Sequence, residues 1–271
     1  MLEAKPFTCD VLVVGVGLAG VCPALRASED KGLDVIAIDR GDGGGASKLS
    51  GGVVYMGGGT KAQREAGVED TPENMADYLS YETGNLVRAD TVRRFAQAST
   101  GFQPWLEKYG ARFGGPVTEE KTSYPNDASL YYSGNELTVP GRARAKPAPR
   151  GHRAKPSGGG EPTKLSGHYL LPPLIASMER QSNVRFFRQT RATRLVVDAS
   201  GAVIGIEVQR IASKFAAWRH ARFMALANNI VAATLGLTAK LFGAIVRLEQ
   251  EATKPMCIRV RKGVVLSAGG F

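Results

Sequence analysis

Three glycines and one acid set the first chemical constraint in this sequence. Gly15, Gly17 and Gly20 stand in "CDVLVVGVGLAG", and Asp39 closes "DVIAID". The glycines follow an apolar run, Val11 to Val14, which reads as a buried strand. That order suits a pyrophosphate: one glycine for a tight turn, one for close approach, one for packing helix on strand. The helix beginning at Leu18 and Ala19 would aim its first NH groups at the phosphates. Asp39 and its neighbour Arg40 would serve the far end of the nucleotide, with the acid accepting ribose hydroxyls. A glycine turn without a ligand is the plain alternative; strand, helix and acid in register argue against it. Pro23 removes an amide donor in the second helical turn and predicts a kink.

A second glycine-rich stretch, "GGGASKLSGGVVYMGGGT", begins a few residues past Asp39. A nicotinamide dinucleotide needs no second loop there. FAD does, because it must be threaded from its adenine end to a ring lying against bare backbone. Gly45, Ala46, Ser47, Ser50, Gly51 and Gly52 are the contacts this implies. Ser47 would bond the pyrophosphate, and Gly51 and Gly52 would admit the isoalloxazine. A flexible loop is the competing reading, and FAD is preferred.

Tyr131 and Tyr132, in "LYYSGNE", are the acid–base candidates. A phenol serves that role if neighbouring charge lowers its pKa. The run "GRARAKPAPRGHRAK" follows, with Arg142, Arg144, Lys146, Arg150, Arg153 and Lys155 and no acid. Against this stands a bland arrangement: one ring in the core, one at the surface, and a solvated basic loop over 141–160. His152 and His168 read as structural. No metal site is expected.

The elements that must position these groups follow from the rest of the chain. Its 271 residues are 43% hydrophobic, enough for a packed core, and carry a formal net charge of +10. The charge is concentrated in the run above and in Arg210–Lys254, where seven Lys/Arg face Glu249 and Glu251. Neither segment carries the aromatic motifs of a nucleic-acid reader, so nucleic acid is not an expected partner. Cys9, Cys22 and Cys257 show no paired spacing, and "MLEAKPFT" has no signal-peptide pattern. A cytoplasmic setting is therefore expected.

Residues 90–113 show helical spacing at Val92, Phe95, Trp105 and Leu106, and should pack on the sheet. "NVRFFRQTRATRLVVDASGAVIGIEV" reads as strand, strand, a turn at Asp198 to Gly201, then strand. Ile211, Phe215, Trp218, Leu226, Ile230, Leu237, Leu241, Ile245 and Leu248 predict an amphipathic helical insertion over 211–248, broken at Asn228–Asn229. Its charge-free stretch, Phe223 to Ala239, is 17 residues with two asparagines, too short and polar for a membrane span. With Trp218 among Arg219, Arg222, Lys240 and Arg247, the insertion is a candidate for peripheral membrane contact, set against simple packing on the protein.

"GVGLAG", "GGGASKLSGG" and the final "VVLSAGGF" resemble the FAD-binding segments of the fumarate reductase/succinate dehydrogenase flavoprotein superfamily. "SYPNDASLYYSGNE" and "APRGH" resemble its 3-ketosteroid dehydrogenase-like branch. The likeness covers nearly the whole chain. It implies an α/β, glutathione-reductase-like FAD-binding domain with a helical insertion, spanning 1–271 and lacking the catalytic domain that relatives carry afterwards. It also implies adenine contact near Ala192 and a terminal turn, Ala268, Gly269 and Gly270, that returns to the cofactor. Relatives with covalent FAD carry a His in the second loop; this loop has none, implying noncovalent FAD. The implied activity is dehydrogenation of a carbon–carbon bond beside a carbonyl in a steroid-like substrate. The electron acceptor is left open. A fumarate or succinate oxidoreductase and a non-catalytic FAD-binding remnant are the alternatives.

Overall fold

The computed structural model describes residues 7–122, 128–160, 162–163, 165–228 and 236–270. Residues 123–127 of the steroid-branch motif, Asn229, Ile230 and Phe271 lie outside them. The chain forms two compact units, Met1–Gly45 with Ile175–Phe271, and Ala46–Leu174.

The first unit holds a six-stranded sheet. Its strands are β1 (Phe7–Val14), β2 (Val35–Ile38), β7 (Val184–Phe187), β8 (Thr190–Val197), β9 (Val203–Ile211) and β10 (Thr253–Leu266), in the order β7-β2-β1-β10-β9-β8. The first four of that order run parallel, and β9 is antiparallel to both β10 and β8. All four residues of β2 are buried, as expected for a parallel strand covered on both faces. Cys9, Leu12, Ile36, Ile38, Phe187, Ile206, Val208 and Ile258 meet in its core. Helix α1 (Leu18–Ser28) makes the first crossover and continues through Pro23 as one element. The turn between β8 and β9 is closed by Asp198, whose Oδ1 accepts from the backbone of Ser200 and Ala202.

Between β9 and β10 the chain leaves the sheet as a helical hairpin, α9 (Lys214–Ala227) and α10 (Thr238–Ala252). Ile211 ends β9 and pairs directly with Thr253 at the start of β10, so it is a strand residue, not the helical one its spacing predicts. Only one side of the expected apolar stripe is inside. Ala216, Ile245 and Leu248 are buried, whereas Phe215 is 66% and Trp218 is 58% exposed.

The second unit holds β3 (Val53–Tyr55), β4 (Val117–Lys121), β5 (Leu130–Tyr132) and β6 (Gly151–Arg153), in the order β3-β6-β5-β4. Its helices include α3 (Lys61–Glu65), α4 (Pro72–Glu82), α5 (Ala89–Ser99) and α6 (Phe102–Lys108). Thr60 and Gln63 form a capping box at α3, and Thr71 caps α4 ahead of Pro72. Val92 and Leu106 are buried as their spacing predicts. Helix α5, which carries Val92, packs chiefly on α4 rather than on the sheet. The segment 141–160 is not the solvated loop expected, because β6 runs through it and is buried at all three positions.

Candidate functional site

The first unit builds the nucleotide turn from backbone contacts. Gly15 has φ +89, and a Cβ there would lie 2.3 Å from the Ser267 carbonyl oxygen. A Cβ on Gly20 would lie 1.7 Å from the Gly15 carbonyl oxygen. Only glycine allows three segments to meet so closely. Gly17 precedes α1 with extended backbone and no side-chain cap, so no side chain stands where a phosphate would meet the helix start. The terminal segment reaches the same place: Ser267 N donates to the Val14 carbonyl at 2.8 Å. The buried Ser267 Oγ has no hydrogen-bond partner among the described residues. A glycine cradle, an uncapped helix start and an orphaned hydroxyl fit the pyrophosphate of FAD.

The structure places the other predicted contacts in the first unit as follows. Asp39 accepts from Val16 N and Gly41 N, each at 2.8 Å, tying two turns together. A carboxylate has about four acceptor sites, so capacity for a ribose hydroxyl remains. Thr190 N donates to the Asp39 carbonyl at 2.7 Å, bringing the start of β8, and with it Ala192, near the acid. Arg40 is turned away from this role: its Nε donates to Glu249 Oε1 at 2.7 Å, on α10. The same carboxylate oxygen lies 3.0 Å from Nε2 of the buried His220. Burial opposes ionisation of Glu249, but these two partners hold its carboxyl below the usual carboxylate range. Nothing in the local sequence marks His220 or Glu249, because their meeting depends on how α9 and α10 fold back.

In the second unit, the loop carrying Ala46, Ser47, Ser50, Gly51 and Gly52 is held by its own polar groups. Ser50 Oγ donates to the Ser47 carbonyl at 2.8 Å, and Gly167 N donates to the Ser50 carbonyl at 3.0 Å. Gly52 has φ +65, and a Cβ on it would lie 2.2 Å from the Ser166 carbonyl carbon. The following run is organised by buried side chains that the sequence reading missed. Gly58 N donates to Asp70 Oδ2 at 2.9 Å, and Gly57 N to Ser99 Oγ at 2.8 Å. Arg150 clamps Asp70 with two hydrogen bonds, 2.9 and 2.8 Å long, and both side chains are fully buried. Burial opposes ionisation of Asp70, yet the Arg150 guanidinium holds its carboxyl below its usual range. His152 bridges Thr60 Oγ1 at 2.8 Å and the Arg150 carbonyl at 2.9 Å, a structural role. Burial pushes its pKa down to about 4.

The tyrosines depart from expectation. Burial raises both phenols, and the nearby Arg153 (for Tyr131) and Arg142 (for Tyr132) only partly offset it. The basic run therefore does not lower their pKa. Its buried members are spent elsewhere, Arg150 on Asp70 and Arg153 on the carbonyls of Ala128 and Thr163. Tyr131 is buried with its ring over Gly151, whereas Tyr132 is half-buried.

Four parallel strands, a glycine turn at the end of β1 and an acid at the end of β2 define a dinucleotide-binding fold. The chain belongs to the FAD binding domain family, which matches residues 10–271. It is 42% identical over 205 residues to a 3-oxo-5-alpha-steroid 4-dehydrogenase of Comamonas testosteroni, covering 73% of this chain and 37% of that one. Among solved structures it resembles the 3-ketosteroid-delta4-(5alpha)-dehydrogenase of Rhodococcus jostii, solved with 4-androstene-3,17-dione. That match has a TM-score of 0.76 at 29% identity, covering 100% of this chain and 48% of the other. A flavocytochrome c3 fumarate reductase shares the fold, with a TM-score of 0.60 at 24% identity. The chain thus spans half or less of the length of these relatives. The α/β FAD-binding fold and the FAD cofactor are borne out.

Proposed function

We propose that this chain is the FAD-binding part of a dehydrogenase that desaturates a carbon–carbon bond beside a carbonyl in a 3-ketosteroid-like substrate. The observation that carries the reading is the 42% identity to a steroid 4-dehydrogenase across 73% of the chain. Bound FAD supplies the hydride acceptor for such a reaction. Gly15, Gly17 and Gly20 give its pyrophosphate a close backbone seat, Ser267 Oγ offers a donor, and Asp39 an acceptor for ribose. The second glycine loop, 43–59, contains no His, which supports noncovalent FAD. With raised pKa values, Tyr131 and Tyr132 serve as proton donors rather than bases, and the half-buried Tyr132 is the better placed. Three unbridged cysteines favour a cytoplasmic setting.

This FAD-binding part alone is expected to be inactive, so the test is reconstitution with FAD of the protein carrying both this segment and a substrate domain, followed by anaerobic addition of a 3-oxo-5α-steroid. Bleaching of the flavin band by the steroid supports the reading. Bleaching by succinate alone would favour a fumarate-type enzyme, and bound flavin reduced by neither would favour a non-catalytic FAD carrier. Gly20→Val should abolish flavin retention on gel filtration, since its side chain has no room beside the Gly15 carbonyl.

Peripheral contact with an anionic membrane is a second reading, favoured by the exposed Phe215, Trp218 and Leu226 on a basic hairpin. Arg219 lies over the Phe215 ring at 5.9 Å and Arg222 over Trp218 at 5.9 Å. No helix among the described residues is long and apolar enough to cross a membrane. Salt-sensitive sedimentation with phosphatidylserine vesicles supports this reading, and its absence removes it.

A further inference from the structure

The first unit has a cavity away from the glycine turn. About 740 Å³ opens where β9 and β10 give way to the helical hairpin. Phe7, Phe186, Arg188, Arg210, Lys214 and Lys254 line it, with Pro255 and Met256 adding apolar wall, and no acid contributes to the lining. Arg188 is shared with Glu179 at 2.5 Å. Arg210, Lys214 and Lys254 make no ion pair among the described residues. Arg210 is nevertheless held in place, its guanidinium stacked 4.4 Å from the Phe187 ring, which in turn packs edge-on against Phe7 at 5.2 Å.

Three cations facing one cavity repel one another, and among the described residues no acid lines it to offset them. An anion placed between them would relieve that repulsion and gain charge-assisted hydrogen bonds. The volume falls in the range of small-molecule pockets, roughly 300–1,000 Å³, and far exceeds a single phosphate. Phe7, Pro255 and Met256 offer apolar contact to the remainder of a ligand. We propose that this cavity is a second ligand site, separate from the nucleotide turn, for a small organic anion: a carboxylate or sulfonate on a flat apolar body. The cations gather around one half-open hollow instead of forming a track, which suits one molecule and not a nucleic-acid strand. The inference stands apart from the proposed dehydrogenase activity.

The experiment uses 2-naphthoate as probe, with neutral 2-naphthamide and inorganic phosphate as controls, on the FAD-saturated chain. Binding is read by calorimetry and by the fluorescence of Trp218, which follows the lining residue Ala217. Naphthoate should bind at least about tenfold more tightly than naphthamide or phosphate, a ratio equivalent to ~1.4 kcal/mol. Lys214→Gln with Lys254→Gln, both exposed sites, should erase that preference while leaving flavin content and circular dichroism unchanged. Arg210→Gln should act likewise, and the lysine pair keeps the test open if that variant fails to fold. Equal binding of naphthamide, equal binding of phosphate, or indifference to the lysine variants would overturn the site. Loss of naphthoate binding on FAD saturation would assign the probe to the nucleotide site and overturn it too. Flavin reduction by steroid is scored separately, so either reading can fail alone.

Discussion

The two basic regions of this chain look alike in sequence and end in opposite environments. In 141–155, Arg150, His152 and Arg153 are buried. In 210–254, Lys214, Arg219, Lys254 and even Phe215 and Trp218 face solvent. The difference lies in partners, not in local charge density. Arg150 meets a fully buried carboxylate, and Arg153 donates to the carbonyls of Ala128 and Thr163. A buried charge is tolerated only when it is paired and hydrogen-bonded. The hairpin offers its cations no such acids, since Glu249 is already engaged by Arg40 and His220.

The comparison is broken most directly at Asp70. Asp70→Asn leaves Arg150 buried with an incomplete partner and should cost about 3–5 kcal/mol. A urea midpoint within error of the parent would mean that the pair is dispensable. The next effect comes from His152. Its pKa falls from 6.5 unfolded to about 4 folded, so the unfolded chain binds the extra proton over that window. Its contribution is complete above pH 6.5 and is lost as pH falls through 4, about 3 kcal/mol in all. Stability measured from pH 7 to 4 should show that slope, and His152→Gln should flatten it.

Smaller changes are expected in the hairpin. Because Ile211 already pairs with Thr253, residues 212–252 can be replaced by an Asn-Gly turn that joins neighbouring antiparallel strands. FAD retention should survive that excision; loss of flavin would show that Glu249 positions Arg40 for the nucleotide. Smallest of all, Phe215→Ser with Trp218→Ser should alter stability by no more than about 0.5 kcal/mol, as for other surface sites. A larger loss in thermal unfolding would mean that the two rings are covered in solution.

The same contrast explains what could be read in the sequence. The nucleotide turn was legible because each requirement is local: an apolar strand, glycines at set offsets, a helix, an acid. The strands β7, β8 and β9 were legible for similar reasons, down to Asp198 at the turn between the last two. Arg150 with Asp70, and His220 with Glu249, were not, since each pair joins residues distant in sequence without a spacing rule. The tyrosine reading erred by counting nearby positive charge without asking whether it was spent elsewhere. Helical period at Phe215 and Trp218 was real, but a period reports that a face exists, not that anything covers it.

The position of β10 between β1 and β9 has a consequence for how the chain is made. Asp10 on β1 and Arg261 on β10 are joined at 2.9 Å across 251 positions. During synthesis β1 emerges well before its neighbour β10. Loop closure over such a span costs entropy that grows with the logarithm of its length, and long-range pairing of this kind folds slowly. Until β10 arrives, one edge of β1 presents unpaired NH and CO groups beside Leu12 and Val14, a template for other chains. The nascent protein is therefore most prone to aggregate before β10 is made, and a chaperone that shields the β1 edge until then should raise the soluble yield more than one acting afterwards.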